Sequence, residues 1–147
     1  MKFLFITLTC ILSLFATNSY ADDVKVAPVV LESFKTSFEN ATDVKWAFAD
    51  NLYKANFEFN EQYVTAFYDL DGELVAVTKN MSSNQLPITL QTALKKDYQN
   101  YWVTDLFELS DEESTCYYIT LEDADNKIVL KSTGTSGWTT YKKLRKS

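Results

Sequence analysis

Histidine is absent from all 147 residues. That removes the side chain on which Ser-His-Asp and Cys-His nucleophile systems and most transition-metal sites depend. Carboxylates are plentiful, but a glycosidase needs two of them facing each other across a cleft. Spacing along this chain brings no such pair into view, so the acids read as a solvated acidic surface. Cys116 has no neighbouring His or second Cys to lower its pKa and reads as a structural thiol, at least partly buried. Asp69-Leu70-Asp71-Gly72 and Asp123-Ala124-Asp125-Asn126 are similar to the start of a calcium loop, yet neither completes the ligand spacing. Both sit where hairpin turns belong. Thr133-Gly134-Thr135-Ser136-Gly137 lacks the Gly-Lys-Ser/Thr ending of a phosphate loop and leads into a strand. These residues therefore predict no enzyme, no metal and no cofactor. Aromatic side chains remain as a source of binding chemistry. Tyr68 and Tyr118 alternate against the Tyr63/Phe67 and Tyr117/Ile119 sets, and Trp102 follows the second helix. If the outer face of the sheet is open, these three form a candidate binding patch, because Tyr and Trp supply contact area at low entropic cost.

The elements that must position them follow from periodicity. Pro28 opens a helix, where its missing N–H costs least, and Leu31, Phe34, Phe38 and Ala41 make one apolar stripe with Asn40 at its end. Val44, Trp46 and Phe48 alternate as a strand, and Asp50-Asn51 turns the chain. Tyr53, Ala55, Phe57 and Phe59 alternate with Lys54, Asn56, Glu58 and Asn60, the pattern of a half-buried strand. A strand over 63–68 and a return over 74–78 are joined at Asp71-Gly72, read as a two-residue primed turn. Leu86-Pro87 opens a second helix with Leu90, Ala93 or Leu94, Tyr98 and Tyr101 along its stripe; strands follow over 103–109, 117–122, 128–131 and 138–144. Phe34, Phe38 and Asn40 match Leu94, Tyr98 and Asn100 at a shift of 60, and Tyr53, Phe57 and Glu58 match Tyr117, Leu121 and Glu122 at a shift of 64. The expected architecture is α+β: a tandem repeat, about 24–81 and 85–144, each copy one helix and about four antiparallel strands, with the helices packed on one face of the sheet.

The first 21 residues read as a cleavable signal: Lys2, an apolar run over 3–16, then Ser19-Tyr20-Ala21 with small residues at −3 and −1. The run is shorter than the about 20 residues a bilayer span needs. Thr7 and Thr9 stand where a lipid-attachment box around Cys10 wants Leu and a small Gly, Ala or Ser. Cleavage would leave 126 residues, 13 basic against 20 acidic, with Cys116 as the one cysteine. Such a chain does not favour nucleic acid or anionic membrane surfaces. Lys142, Lys143, Arg145 and Lys146 give it a basic end, read as a solvated strand terminus.

Phe38-Glu39-Asn40-Ala41, Val44-Lys45-Trp46, Tyr53-Lys54-Ala55-Asn56-Phe57 and Tyr68-Asp69-Leu70-Asp71-Gly72-Glu73-Leu74 together resemble the PepSY-like, β-lactamase-inhibitor-protein-like (BLIP-like) family of small exported bacterial proteins. The resemblance implies a helix-plus-antiparallel-sheet domain, periplasmic or secreted, that works by binding proteins or restraining peptidases. It carries no inhibitory residue onto this chain. The expectation is a non-enzymatic module that binds another envelope protein or peptide. The alternative is a carrier of a small apolar ligand held between sheet and helices.

Overall fold

A computed structural model describes residues 24–146; the signal-peptide reading of residues 1–21 lies outside the described residues. The element order is α1 (Pro28–Ser37), β1 (Thr42–Ala49), β2 (Leu52–Phe59), β3 (Gln62–Tyr68), β4 (Leu74–Asn80), α2 (Ile88–Asp97), β5 (Trp102–Ser110), β6 (Thr115–Glu122), β7 (Asn126–Ser132) and β8 (Thr139–Arg145). A short 3-10 helix, Ser83–Gln85, precedes α2.

The expected tandem of two helix-and-sheet units is corrected here. β4 pairs with β5 from Val77↔Ser110 to Asn80↔Phe107, and all eight strands form one antiparallel sheet in the order β1 to β8. The α+β class stands. The physical reason is that β4 and β5 would each present a row of unpaired backbone groups, and pairing satisfies both rows at once. Similarity between two stretches of sequence reports shared local patterns, not where a sheet ends.

Local chemistry explains the hairpins. Asp50 and Asn51 both have positive φ (51° and 61°), as do Asn60 and Glu61 (50° and 62°), giving two-residue primed turns that suit the strand twist. The β3–β4 connection is wider than the expected two-residue turn. The Gly72 N–H donates to the Asp69 carbonyl (3.3 Å), and Asp69 Oδ1 accepts from the Asp71 and Glu73 N–H groups (3.0 and 2.9 Å). Gly72 takes the left-handed position at φ 84°, so Asp69 and Gly72 shape this loop and Asp71 does not.

Pro28 starts α1, and its Val30 and Phe34 reach the sheet beside Ala55, Phe57, Val64, Ala66 and Tyr68. Phe34 meets Phe57 and Trp46 edge-on, with ring centroids 4.9 and 5.2 Å apart. Leu86 and Leu90 lie over Leu106, Ile119, Leu121, Ile128 and Leu130, and the Trp138 Nε1–H donates to the Leu90 carbonyl (3.1 Å), tying the β7–β8 loop to α2. The register carries one face across the sheet: Ala66 pairs Val77, Val77 pairs Ser110, and Ser110 shares its side of β5 with Leu106. Both helices therefore cover the same face. The opposite face holds a third buried cluster, Phe67, Ala76, Phe107, Leu109, Cys116, Tyr118 and Val129, drawn from strands alone. Cys116 is a buried free thiol within it.

Candidate binding surface at the start of β5

The three aromatic candidates fall in different places. Tyr68 is fully buried (0 % exposed) on the helix side, with ring centroids 6.4 Å from both Phe34 and Trp46. Tyr118 is buried on the other face, stacked on Phe107 at 5.3 Å and met edge-on by Tyr141. Burial raises the Tyr118 hydroxyl pKa, partly opposed by the Lys131 ammonium. Trp102 is 52 % exposed, and Val103 beside it 47 %. The structure thus does not bring Tyr68 and Tyr118 together on one surface, and Trp102 belongs to a separate site.

That site arises because α2 stops early. The Tyr98 N–H closes the helix on the Leu94 carbonyl (3.0 Å), the Tyr101 N–H bonds the Tyr98 carbonyl (3.0 Å), and β5 begins one residue later. Trp102 pairs with Glu122, Val103 with Leu121 and Asp105 with Thr120, so Thr104 is the extra residue of a bulge. The bulge sets Trp102, Thr104 and Asp105 toward the face without helices and Val103 toward α2.

Beside Trp102, Glu122 gathers a small network. Its carboxylate lies 2.8 Å from the Lys146 ammonium and 3.4 Å from that of Lys127, and it accepts from the Thr104 hydroxyl at 3.1 Å. Lys146 above all, then Thr104 and Lys127, hold the Glu122 carboxyl below its usual range. Lys146 also donates to the Asp123 carbonyl (2.7 Å) and stands 4.9 Å from the centre of the Trp102 ring, a cation–π contact. The basic end is therefore part of this site through Lys146. Asp123 is held low by the Asp125 N–H and further by Asn126 and the Tyr101 hydroxyl; its Oδ1 accepts from the Asp125 and Asn126 N–H groups at 2.8 and 2.6 Å, so this acidic segment is a turn. Tyr101 is pushed up by desolvation and by Asp123.

Two hollows adjoin these residues. One, about 220 Å³, lies between α2 and the sheet, with Leu94, Val103 and Leu121 as apolar wall and Gln91, Lys95, Tyr98 and Tyr101 as polar rim. The other, about 360 Å³, separates residues 80–83 from residues 103–106 and is mainly polar. Asp105 borders the second. Burial raises its carboxyl pKa, opposed by the Leu106 N–H and by Lys127. Among the described residues no three His, Cys, Asp or Glu side chains stand close enough to hold a metal. The arrangement offers contact area, open backbone and charge: the chemistry of binding.

No family model matches the sequence, and no curated protein matches it. Solved structures do. A BLIP-like protein of Bacteroides fragilis superposes with a TM-score of 0.74 at 22 % identity, over 85 % of this chain and 91 % of that one. A DUF2874 family protein of Bacteroides uniformis gives 0.74 at 15 %, over 82 % and 90 %. A candidate periplasmic protein of Bacteroides eggerthii gives 0.75 at 14 %, over 83 % and 90 %. The chain has the BLIP-like fold.

Within this BLIP-like fold, sequence reasoning found Trp102 but missed Val103, Asp105 and Glu122. Their significance depends on where β4 leaves β5 and on the Thr104 bulge, both set by long-range pairing. The one local signal was the run Tyr101-Trp102-Val103, three large side chains in succession without a polar alternate.

Proposed function

We propose that this chain is a non-enzymatic, exported module that binds another envelope protein or peptide through the start of β5. The observation that carries the reading is the pair of half-exposed apolar side chains, Trp102 and Val103, on a strand anchored along β6. Trp is the residue type most enriched at binding hot spots, and a strand already fixed in a sheet pays little ordering entropy on association. The absence of histidine supports a non-catalytic role. The N-terminal signal pattern and the likeness to a candidate periplasmic protein support an envelope location. The PepSY-like affiliation, carried by the helix, strand and Asp-Gly motifs, belongs to the same proposal. Neither nucleic acid nor membrane insertion is part of it: the net charge is −6, and no helix among the described residues is long and apolar enough to cross a membrane.

The test is in-cell crosslinking of the tagged protein in its native envelope, read by mass spectrometry. One dominant protein partner is expected, lost on Trp102→Ala. That variant should keep its fold, since an exposed cation–π contact contributes only about 0.5–1 kcal/mol. A protein recovered alone would sink the reading. A second reading, a carrier of a small apolar ligand, is favoured by the hollow of about 220 Å³ under α2. A rise in the thermal midpoint with hexanol, abolished by Leu94→Lys, would support it.

A further inference from the structure

β5 is nine residues long, but β4 pairs with only four of them, 107–110. The last bond between the two chains is from the Met81 N–H to the Leu106 carbonyl (3.1 Å). After it, the β4 chain is committed elsewhere. The Ser82 N–H is taken by Gln85 Oε1 (2.7 Å), and the Gln85 N–H by the Ser82 carbonyl (3.0 Å), which turns the chain into the 3-10 helix. Over residues 102–105 the β4-facing edge of β5 has no strand partner among the described residues, and the hollow of about 360 Å³ lies against it.

An unpaired edge is a template for another strand. The outer edges of this sheet carry the usual guards. β8 bears Lys142, Lys143 and Arg145, and β1 is kinked between Thr42 and Lys45 with Asp43 at φ 53°. The inner edge has a bulge of its own at Thr104 but no Lys, Arg or Pro: it carries Trp102, Val103 and Thr104, all strand-favouring types, and one acid, Asp105. Asp105 faces the side without helices, and the cation that acts on it, Lys127, is engaged by Glu122 at 3.4 Å. A second copy adding the same edge antiparallel would pair residue 105 with residue 102, which sets an uncharged Trp against Asp105 and brings no cation to it. A partner with a basic residue there would satisfy it.

We infer that this gap accepts an extended peptide, added as a short strand along residues 102–105 of β5, with a Lys or Arg set against Asp105 and an apolar side chain beside Val103. The inference rests on the peptide-binding reading above and names its geometry and its chemistry. Guest side chains alternate between the two faces. The guest therefore alternates too, basic toward the face of Asp105 and apolar toward α2. Trp102 flanks the same face as Asp105, but its ring is already met by the Lys146 ammonium at 4.9 Å, so the guest's basic side chain is set against Asp105 and not on that ring.

The experiment is NMR titration of the purified, isotope-labelled protein with an acetylated, amidated octapeptide of alternating valine and lysine. Its valine–glutamate counterpart and a backbone N-methylated analogue serve as controls. Saturable shifts at residues 80–83 and 102–106, with slowed amide exchange on that edge, are expected for the lysine peptide. The glutamate peptide should bind about tenfold more weakly, the value of a charge-assisted hydrogen bond, and the N-methylated analogue not at all. Asp105→Lys should reverse the order of the two charged peptides, and Asp105→Asn, the gentler variant, should erase it. Shifts confined to the Phe107/Tyr118 face, equal binding of both peptides, or no saturable binding would each overturn the inference. A crosslinked envelope partner whose contacts avoid the gap would overturn it while leaving the binding function intact. Peptide docking in the gap without any captured envelope partner would do the reverse.

Discussion

Tyr68 separates a structural aromatic from a recognition aromatic by measurement. Its ring is fully buried between α1 and the sheet, and its hydroxyl is buried beside Ser37 without a hydrogen bond of good geometry. Burial raises that hydroxyl's pKa, as expected for a group cut off from water. An unsatisfied buried polar group costs about 1–3 kcal/mol. Tyr68→Phe removes the group and leaves a void the size of one oxygen. The net effect should be neutral to about 1.5 kcal/mol stabilising, which raises the thermal midpoint by up to about 6 °C in a domain of this size. Tyr68→Ala removes the ring itself and should cost about 3–5 kcal/mol, lowering the midpoint by about 12–20 °C. Circular dichroism melts and guanidinium titrations of the three proteins read both signs. A Phe variant destabilised by more than about 1 kcal/mol would mean the hydroxyl makes a full hydrogen bond, and the reasoning would fail. An Ala variant that melts with the parent would refute the buried placement. Partner capture by Tyr68→Phe should match the parent, since no part of that side chain reaches solvent.

Gly72→Ala should destabilise by about 1–2 kcal/mol, since φ is 84° and the added Cβ would lie 3.0 Å from Val29 Cγ2 and 3.1 Å from the Val29 carbonyl oxygen; a denaturant midpoint equal to the parent's would count against the α1-to-hairpin contact. Glu122 and Asp123 are both held below their usual carboxyl range in the fold, so their contribution is present above the unfolded carboxyl range, near pH 4, and is lost as pH falls through the lower folded values. Glu122→Gln should therefore melt below the parent at pH 7, and the difference should close toward pH 3; a constant difference across that range would show that the ion pairs are not its source. Cys116 should react with a thiol reagent only after denaturant is added, since it is buried beside Tyr118; rapid labelling of the native protein would contradict that burial.

What could be read from the sequence was local. The alternation over 53–60 became β2, and Asp50-Asn51 took the two positive φ values a primed turn demands. α1 ended earlier than its polar marker Asn40, and α2 ended likewise at Asp97. Phe38 and Tyr98 leave helical geometry at the C-caps while their rings join the clusters under α1 and α2, so packing overrode the local stop signal. Alternation also fixed which residues within one strand share a side. It could not say which side of the sheet that was in the next strand. Tyr68 and Tyr118 occupied equivalent-looking strand positions, yet the first lies under α1 and the second on the opposite face, because the pairing of Ala66 with Val77, Val77 with Ser110 and Ser110 with Thr115 puts the even positions of β3 and the odd positions of β6 on the helix side. The pairing of β4 with β5, and the five β5 residues left outside it, depended on where the chain departs for α2, which no window of local sequence encodes.

That departure links the fold to its binding edge. One sheet of eight strands carries two helices on one face, so the chain must leave the sheet after β4, cross to the helix side and return as β5. The crossing begins at Met81, and Leu86 must already sit in the cluster beneath α2. Extending β4 to pair with all of β5 would use up the residues that form the Ser82–Gln85 capping box and would draw Leu86 out of a site where it is 4 % exposed. Withdrawing a buried leucine costs about 1.5–3 kcal/mol, and the hydrogen bonds of the capping box would be lost with it, so the added ladder bonds, at roughly 0.5–1.5 kcal/mol each, are offset. The open edge at residues 102–105 is thus the stable outcome of covering a single sheet with two helices. A strand that arrives from another molecule can complete the pairing there without moving Leu86 at all.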